Sequence, residues 1–311
     1  MFGGSLYLDI GERRARILKG AVRNRTFRID NYANLEFSHP LGRDLDDDRN
    51  HEIGRQIAGF LEERGLSSRQ VSVLMSREGM ITRTARVPAL DSKVLDEFIL
   101  AAINEFLPVD LTEYAFDYRV MKTVSDSGNE KGYHELLLAA VPRYMVEQVM
   151  QVMESTRMYI RSLDILPNSI LRLFSQTDYS DVAVLDVNRD GSRIAICEDG
   201  CLLLYADIPF NLSEEGEDAA DLSVLIEETR GYLNFFAGSH QGRQVEVLHV
   251  VGDLAQREEI VTTLLDSALE IPVKSSLDEV LNFRWGRKTG PQPVTAAATM
   301  AGNLGMMLRK D

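Results

Sequence analysis

The chain opens on alternation. Leu6, Leu8 and Ile10 alternate with Tyr7 and Asp9, a period of two that predicts a strand. A turn at Gly11-Glu12-Arg13 leads to a second strand, Ala15 to Leu18, and Asn24-Arg25 separates it from a third, Phe27 to Leu35. Gly42 to Asn50 is polar and acidic and reads as a loop, its Asp44–Asp48 run as solvated charge. Ile53, Ile57, Phe60 and Leu61 share a helical face that Gly65 ends, and Val71 to Met75 is a short buried strand. Thr82 to Val87 alternates again. Asp91 or Ser92 then caps a helix whose apolar face is Val94, Leu95, Phe98, Ile99, Ala102, Ile103 and Phe106, with Pro108 after it. Tyr114 to Val124 and Leu136 to Val141 read as strands. Pro142 opens a helix carrying Val146, Val149, Met150 and Met153, and Ile160 to Ile165 is a strand.

The opening pattern then returns. Val182 to Asp186 is a strand, Asn188 to Gly191 a turn, Arg193 to Cys197 a strand, Asp199-Gly200 a turn and Cys201 to Tyr205 a strand. Asp9 and Asp186 hold corresponding places, which predicts a duplicated α/β architecture. A helix through Leu222, Leu225, Ile226, Thr229, Leu233 and Phe236 follows, then a buried strand Val245 to Val251 ending at Gly252. A helix at Ile260–Leu265, a strand at Ile271–Lys274 and a small-residue helix over Val294–Leu308 complete the pattern. The predicted organisation is a first lobe over 1–79, an inserted αβ unit over 80–162, a connecting helix over 163–180 that completes the first lobe, and a second lobe over 181–311.

Charge narrows the function. The 311 residues carry 34 Lys and Arg against 48 Asp and Glu, a net charge of −14. Nucleic-acid affinity comes mostly from cations that neutralise phosphates, so a nucleic-acid partner is not expected, nor is direct docking on an anionic membrane. No run reaches the roughly 18 apolar residues of a membrane span, and the N-terminus lacks a signal-peptide pattern. Two cysteines, Cys197 and Cys201, give no disulfide framework, and the five histidines lack ligand spacing, so no metal site is expected. A soluble cytosolic protein is the expectation. Arg13, Arg14 and Arg16 read as strand and turn surface, and Trp285 as a loop residue against a core edge.

A duplicated β-meander with Asp ending the first strand of each half resembles the actin/Hsp70-like plan, with ribonuclease H-like lobes. Ile81 to Leu90, Ala102 to Pro108, Tyr114 to Tyr118, Leu137 to Pro142, Leu163-Asp164 and Glu227 to Phe236 together resemble PilM, the actin-like family of type IV pilus assembly. The 80–162 unit then resembles the subdomain that this family shares with the cell-division protein FtsA. The resemblance implies a cleft between lobes, two glycine turns holding phosphates, and a metal held by the strand-end aspartates. Here that site would use Asp9, Gly11, Asp186, Gly191 and Gly252. The turns are altered. Glu12 stands where a small residue is usual, Asn188 replaces a glycine, Asp190 adds negative charge, and Gly252-Asp253 replaces a Gly-Gly pair. Only Asn211 to Ala220 separates the last meander strand from the next helix, too little for the helical subdomain that covers the nucleotide in relatives. The expectation is a vestigial site with no catalytic residue, no ATPase activity and no resident cofactor, while binding of ATP with Mg²⁺ stays open.

The function implied is a cytoplasmic scaffold of a type IV pilus or related MSHA-type or type II secretion platform, held at the inner membrane by a protein partner. It would bind the cytoplasmic N-terminal peptide of a PilN-like membrane protein, with other platform proteins and self-association as further contacts. The resemblance places that peptide in a groove between the inserted unit and the first lobe. In this chain Arg83, Val87, Leu90, Phe98, Leu107 and Leu138 are its expected wall. The alternatives are an ATP-gated switch of partner affinity and an FtsA-like filament protein. A sugar kinase of the same superfamily lacks its substrate insertion here.

Overall fold

Three strands β1 (Ser5–Ile10), β2 (Arg14–Arg23) and β3 (Thr26–Glu36) form the first meander of the computed structural model. It describes residues 4–43, 46–66, 68–125, 132–212, 222–257, 265–286, 289 and 295–309. The β2–β3 turn is the two-residue loop Asn24-Arg25, both with positive φ, as a tight hairpin of matching twist requires. Helix α1 (Asp47–Glu63) begins inside the stretch expected to be loop. Asp46 accepts a hydrogen bond from the Arg49 amide at 3.1 Å, and Asp47 and Asp48 fill the first turn, where negative charge meets the helix's positive end. Part of the acidic run is therefore a helix start; Asp44 lies outside the described residues.

Strand β4 (Gln70–Met75) runs parallel to β1, and β8 (Tyr159–Ile165) runs parallel to β4. Between them come β5 (Ile81–Pro88), α2 (Ser92–Phe106), β6 (Tyr114–Val124), β7 (Tyr133–Pro142) and α3 (Arg143–Thr156). The three strands make a separate sheet in the order β5-β7-β6, closed on one face by α2 through Leu95, Ile99 and Ile103. The buried stripe of α2 is narrower than its apolar pattern, because Val94 and Phe98 point to solvent at 51% and 37% exposure. Helix α3 instead packs on α1 and joins the first lobe's core.

Helix α4 (Leu166–Phe174) links to the second meander, β9 (Asp181–Asn188), β10 (Gly191–Glu198) and β11 (Cys201–Ile208). Its β10–β11 turn, Asp199-Gly200, repeats the positive-φ turn of the first meander. Helix α5 (Ser223–Ser239), strand β12 (Val247–Gly252), a 3-10 turn at Asp253–Gln256, helix α6 (Asp266–Leu269) and strand β13 (Val273–Lys274) follow. The second sheet runs β11-β10-β9-β12-β13. The helix expected at Ile260–Leu265 falls mostly outside the described residues.

The chain then returns to the first lobe. Strand β14 (Asn282–Trp285) pairs parallel with β3, so the first sheet reads β14-β3-β2-β1-β4-β8. Trp285 is thus a strand residue, set edge-on to Tyr32, not part of a loop. The small-residue segment expected as one helix over Val294–Leu308 is shorter: a 3-10 turn at Ala298–Met300 leads into α7 (Ala301–Met307). Helices α4 and α7 lie between the two sheets and share one core with both, through Tyr7, Leu18, Val182, Val184, Ile170 and Leu304. Alternation explains the other faces. Leu6, Leu8 and Ile10 turn to α1 and α3, while Ala183, Leu185 and Val187 turn to α5. Among the described residues, no helix is long and apolar enough to cross a membrane.

Candidate functional site: the cleft between the lobes and the cavity beside the inserted sheet

Asp9 ends β1, and in the antiparallel register it stands opposite Arg16 of β2. Asp186 stands opposite Arg193 of β10 in the same way. The two strand-end aspartates come to the cleft as the repeat predicts, each accompanied by an arginine. Asp9 and Arg16 are 3.5 Å apart, Asp186 and Arg193 3.6 Å. Arg14, two residues along β2 on the same face, reaches across to the second lobe. It donates through Nη1 to Asp253 Oδ1 at 3.0 Å, pairs with the other Asp253 oxygen, and lies 3.6 Å from Asp190. Arg14, Arg16 and Arg193 are 5%, 6% and 1% exposed, so Arg14 and Arg16 are not surface residues; Arg13 alone of the three turn arginines is exposed.

Asn188 is the hub. Its Oδ1 accepts from Arg16, from Arg14 at 3.4 Å and from the Asp253 amide at 3.2 Å, and its Nδ2 donates to Asp186 at 2.9 Å. Ser76 donates to Asp9, and the Glu12 amide donates to Asp190 at 3.2 Å. Burial lifts the Asp9 carboxyl above its ordinary range, with Arg16 and Ser76 pulling against it. Burial also works against charge on Arg16, but Asp9 and Asp253 outweigh it and hold the guanidinium charged. Asp253 is held low against its own burial by Arg16 and Arg14.

These residues do not fit a metal–phosphate group. A phosphate cradle needs glycines whose missing side chains leave room for the ligand. Here a Cβ on Gly11 would lie 2.5 Å from the Asp190 carboxylate. On Gly252 it would lie 2.6 Å from both Asn188 and Asp186, and on Gly191 2.6 Å from Glu78. The space that the glycines free is taken by the chain's own acids and by Asn188. Each of the strand-end aspartates faces a guanidinium instead of an open coordination site.

A second feature lies beside the inserted sheet. A cavity of about 760 Å³ runs between β6 and β8. Ala115 to Arg119 of β6 line one side, Leu163 to Ile165 of β8 the other, with Leu137, Ala139 and Val141 of β7 and Asn168 and Arg172 of α4 between. Among the described residues both β6 and β8 end their sheets, and both line this one space. At its base Asp164 accepts from Arg172 at 2.6 Å, Asn168 at 2.9 Å and Arg309 at 3.0 Å. Arg119 donates to Asn168 at 2.7 Å.

The six residues expected to wall a groove lie elsewhere. Val87, Leu107 and Leu138 are buried in the core under α2, and Leu90 packs on it. Arg83 and Phe98 face solvent. Leu138 misses the cavity by one position: its neighbours Leu137 and Ala139 point the other way and line it.

The family model "Type IV pilus assembly protein PilM" matches residues 7–209. This chain belongs to the PilM family. A structure of a PilM-PilN type IV pilus biogenesis complex is similar at 18% identity, covering 98% of each chain with a TM-score of 0.75. The cytoplasmic domain of EpsL, an inner-membrane component of the Vibrio cholerae type II secretion system, is similar at 11% identity and TM-score 0.50, covering 98% of this chain and 95% of that one. The ethanolamine utilization protein EutJ of Carboxydothermus hydrogenoformans is similar at 13% identity and TM-score 0.50, covering 98% and 89%. No curated protein sequence matches. The lobes are actin-like, and the chain is a type IV pilus assembly protein.

Within this PilM-family fold, reading the sequence alone misses the buried arginines. Their signal was present: Arg14 and Arg16 share a strand face with Leu18, opposite to Ala15 and Ile17, on a strand flanked on both edges. A central strand covered on both faces buries whatever its pattern carries.

Proposed function

We propose that this chain is a non-catalytic scaffold of the pilus assembly platform, which captures the cytoplasmic N-terminal peptide of a PilN-like inner-membrane protein in the cavity between β6 and β8. The carrying observation is that two strands, each at the edge of its sheet among the described residues, line one partly apolar space. Edge strands present unpaired amides and carbonyls, which an extended peptide completes while its side chains enter the pockets on either side. Met75, Val141, Val146 and Leu163 offer apolar contacts, and Arg119, Arg172 and Arg309 offer guanidinium donors to peptide carbonyls or a carboxylate. The likeness to a PilM bound to PilN supports this occupant. The partner would hold the protein at the cytoplasmic side of the inner membrane. The cleft supports the non-catalytic half of the reading, because its acids are already matched by arginines.

The test is anisotropy of a labelled synthetic peptide, the N-terminal cytoplasmic segment of the PilN-like protein from the same organism. Saturable binding is expected. Ala115→Arg and Ala139→Arg place charge and bulk in the cavity and should weaken it by about tenfold or more, with the circular dichroism unchanged. Arg83→Ala and Phe98→Ala should bind as the parent does. Full affinity in both cavity variants would overturn the assignment.

A further inference from the structure

We infer that Arg14 and Arg16 form a built-in cationic bridge that joins the two lobes, in the place where an actin-like cleft carries metal and phosphate. Arg14 belongs to the first lobe and lies 4.0 Å from Glu36 there, yet its hydrogen-bond partners Asp253 and Asn188, and Asp190 at 3.6 Å, belong to the second. Arg16 holds Asp9 of its own lobe and reaches Asn188 and Asp253 of the other, the latter at 3.6 Å.

The charge balance gives the reason. Asp9, Asp186, Asp190 and Asp253 gather in one buried space, with side chains 4%, 13%, 5% and 13% exposed. Such carboxylates repel one another and lose their hydration, so they stay together only beside cations. An exchangeable metal is one solution, and a guanidinium fixed to a strand is another. The second cannot dissociate. The lobes of this chain are therefore held in one relative position by the sequence itself, and their coupling needs no ligand. The nearby acids reinforce the closure, since the Asp190 carboxylate fills the hollow at Gly11 and receives the Glu12 amide. This bridge lies apart from the partner cavity, so its failure would leave the peptide reading standing, and the reverse.

Hydrogen exchange by mass spectrometry on the full chain tests it, read at the Gly11–Arg13 turn, the Arg189–Gly191 turn and the Asp253 turn. Millimolar MgATP should leave exchange there unchanged. Arg14→Ala and Asp253→Asn should each speed it by about tenfold or more. The double variant should be slower than the product of the two single effects, because the singles share the Arg14–Asp253 contact. If Arg14→Ala does not fold, Arg14→Lys and Asp253→Asn decide, the lysine giving an intermediate rate because it keeps the charge and loses the fork. Exchange slowed at these turns by MgATP in the parent, or unchanged in Asp253→Asn, would overturn the bridge.

Discussion

Asp9 and Arg16 face each other across the β1–β2 ladder, seven residues apart in sequence. Asp186 and Arg193 repeat the relationship across β9–β10 at the same separation. The same acid–base pair thus stands at the same place in both meanders. The pairs differ in their surroundings. Arg16 is held by partners from both lobes, whereas Arg193 is shared between Asp186 and Asp207, each at 3.6 Å, within the second.

Breaking the first pair should be costly. Arg16→Ala leaves Asp9 buried with Ser76 but without its cation and should lower stability by about 3–5 kcal/mol. Asn188→Ala removes the shared acceptor of Arg14 and Arg16 and should cost about 1–3 kcal/mol. Urea unfolding followed by far-UV circular dichroism measures both. A shift in midpoint smaller for Arg16→Ala than for Asn188→Ala would contradict the ranking.

His249 predicts an acid limb. It is fully buried on β12 between Phe174 and Tyr179, and among the described residues neither ring nitrogen has a hydrogen-bond partner. Burial, with Lys274 adding to it and Glu279 opposing, lowers its pKa from 6.5 to about 4. The folded chain therefore resists a proton that the unfolded chain accepts. Stability from this group is complete above about pH 6.5 and falls as the pH drops towards 4, by about 3 kcal/mol in all. His249→Phe should flatten that part of a stability–pH curve measured by chemical denaturation.

Two glycines should respond oppositely to the same change. At Gly305 on α7 a Cβ would collide with the Ser169 backbone of α4, so Gly305→Ala should destabilise by about 1–3 kcal/mol. Gly231 lies in the middle of α5 with open space around it, so Gly231→Ala should stabilise by about 0.5–1 kcal/mol. Thermal melts of the two variants, read side by side, check the contrast.

Both thiols should be slow to react. Burial pushes Cys197 up to about 12, and burial with the Glu135 carboxylate pushes Cys201 up to about 11. Since the thiolate is the nucleophile, alkylation by iodoacetamide near pH 8 should be far slower for the native chain than for the urea-unfolded one. Equal rates would show that the strands around β10 and β11 open readily.

Periodicity made most of the architecture legible. Both meanders, the α2 unit and the strands β4, β8 and β12 follow from alternation and helical spacing, because each packs one regular face. Strand β14 was not legible, since four residues with a mixed pattern carry little signal and its place depends on β3, far away in sequence. In the cleft, Asp9, Asp186 and Asn188 were readable as positions but not as partners. Ion pairs between lobes join residues over 170 apart, such as Arg14 with Asp190, and no local pattern reports them. The cavity was missed for a simpler reason. Strand β7 is apolar on both faces, so its pattern alone does not tell Leu137 from Leu138.

The return of the chain to its own beginning has a consequence for synthesis. β14 completes the edge of the first sheet, and α7 lies against β1, β2 and β4, where Asn303 donates to the Arg16 carbonyl at 3.3 Å. Domains usually fold in order as they leave the ribosome. Here the first sheet waits for residues 282–307 to be translated, and until then Tyr7, Leu18 and Leu74 lack the cover that α7 adds to that of α4. A chain interrupted before β14 would lack both the edge strand of the first sheet and α7, so a stop codon far from the codons of the first lobe would weaken that lobe.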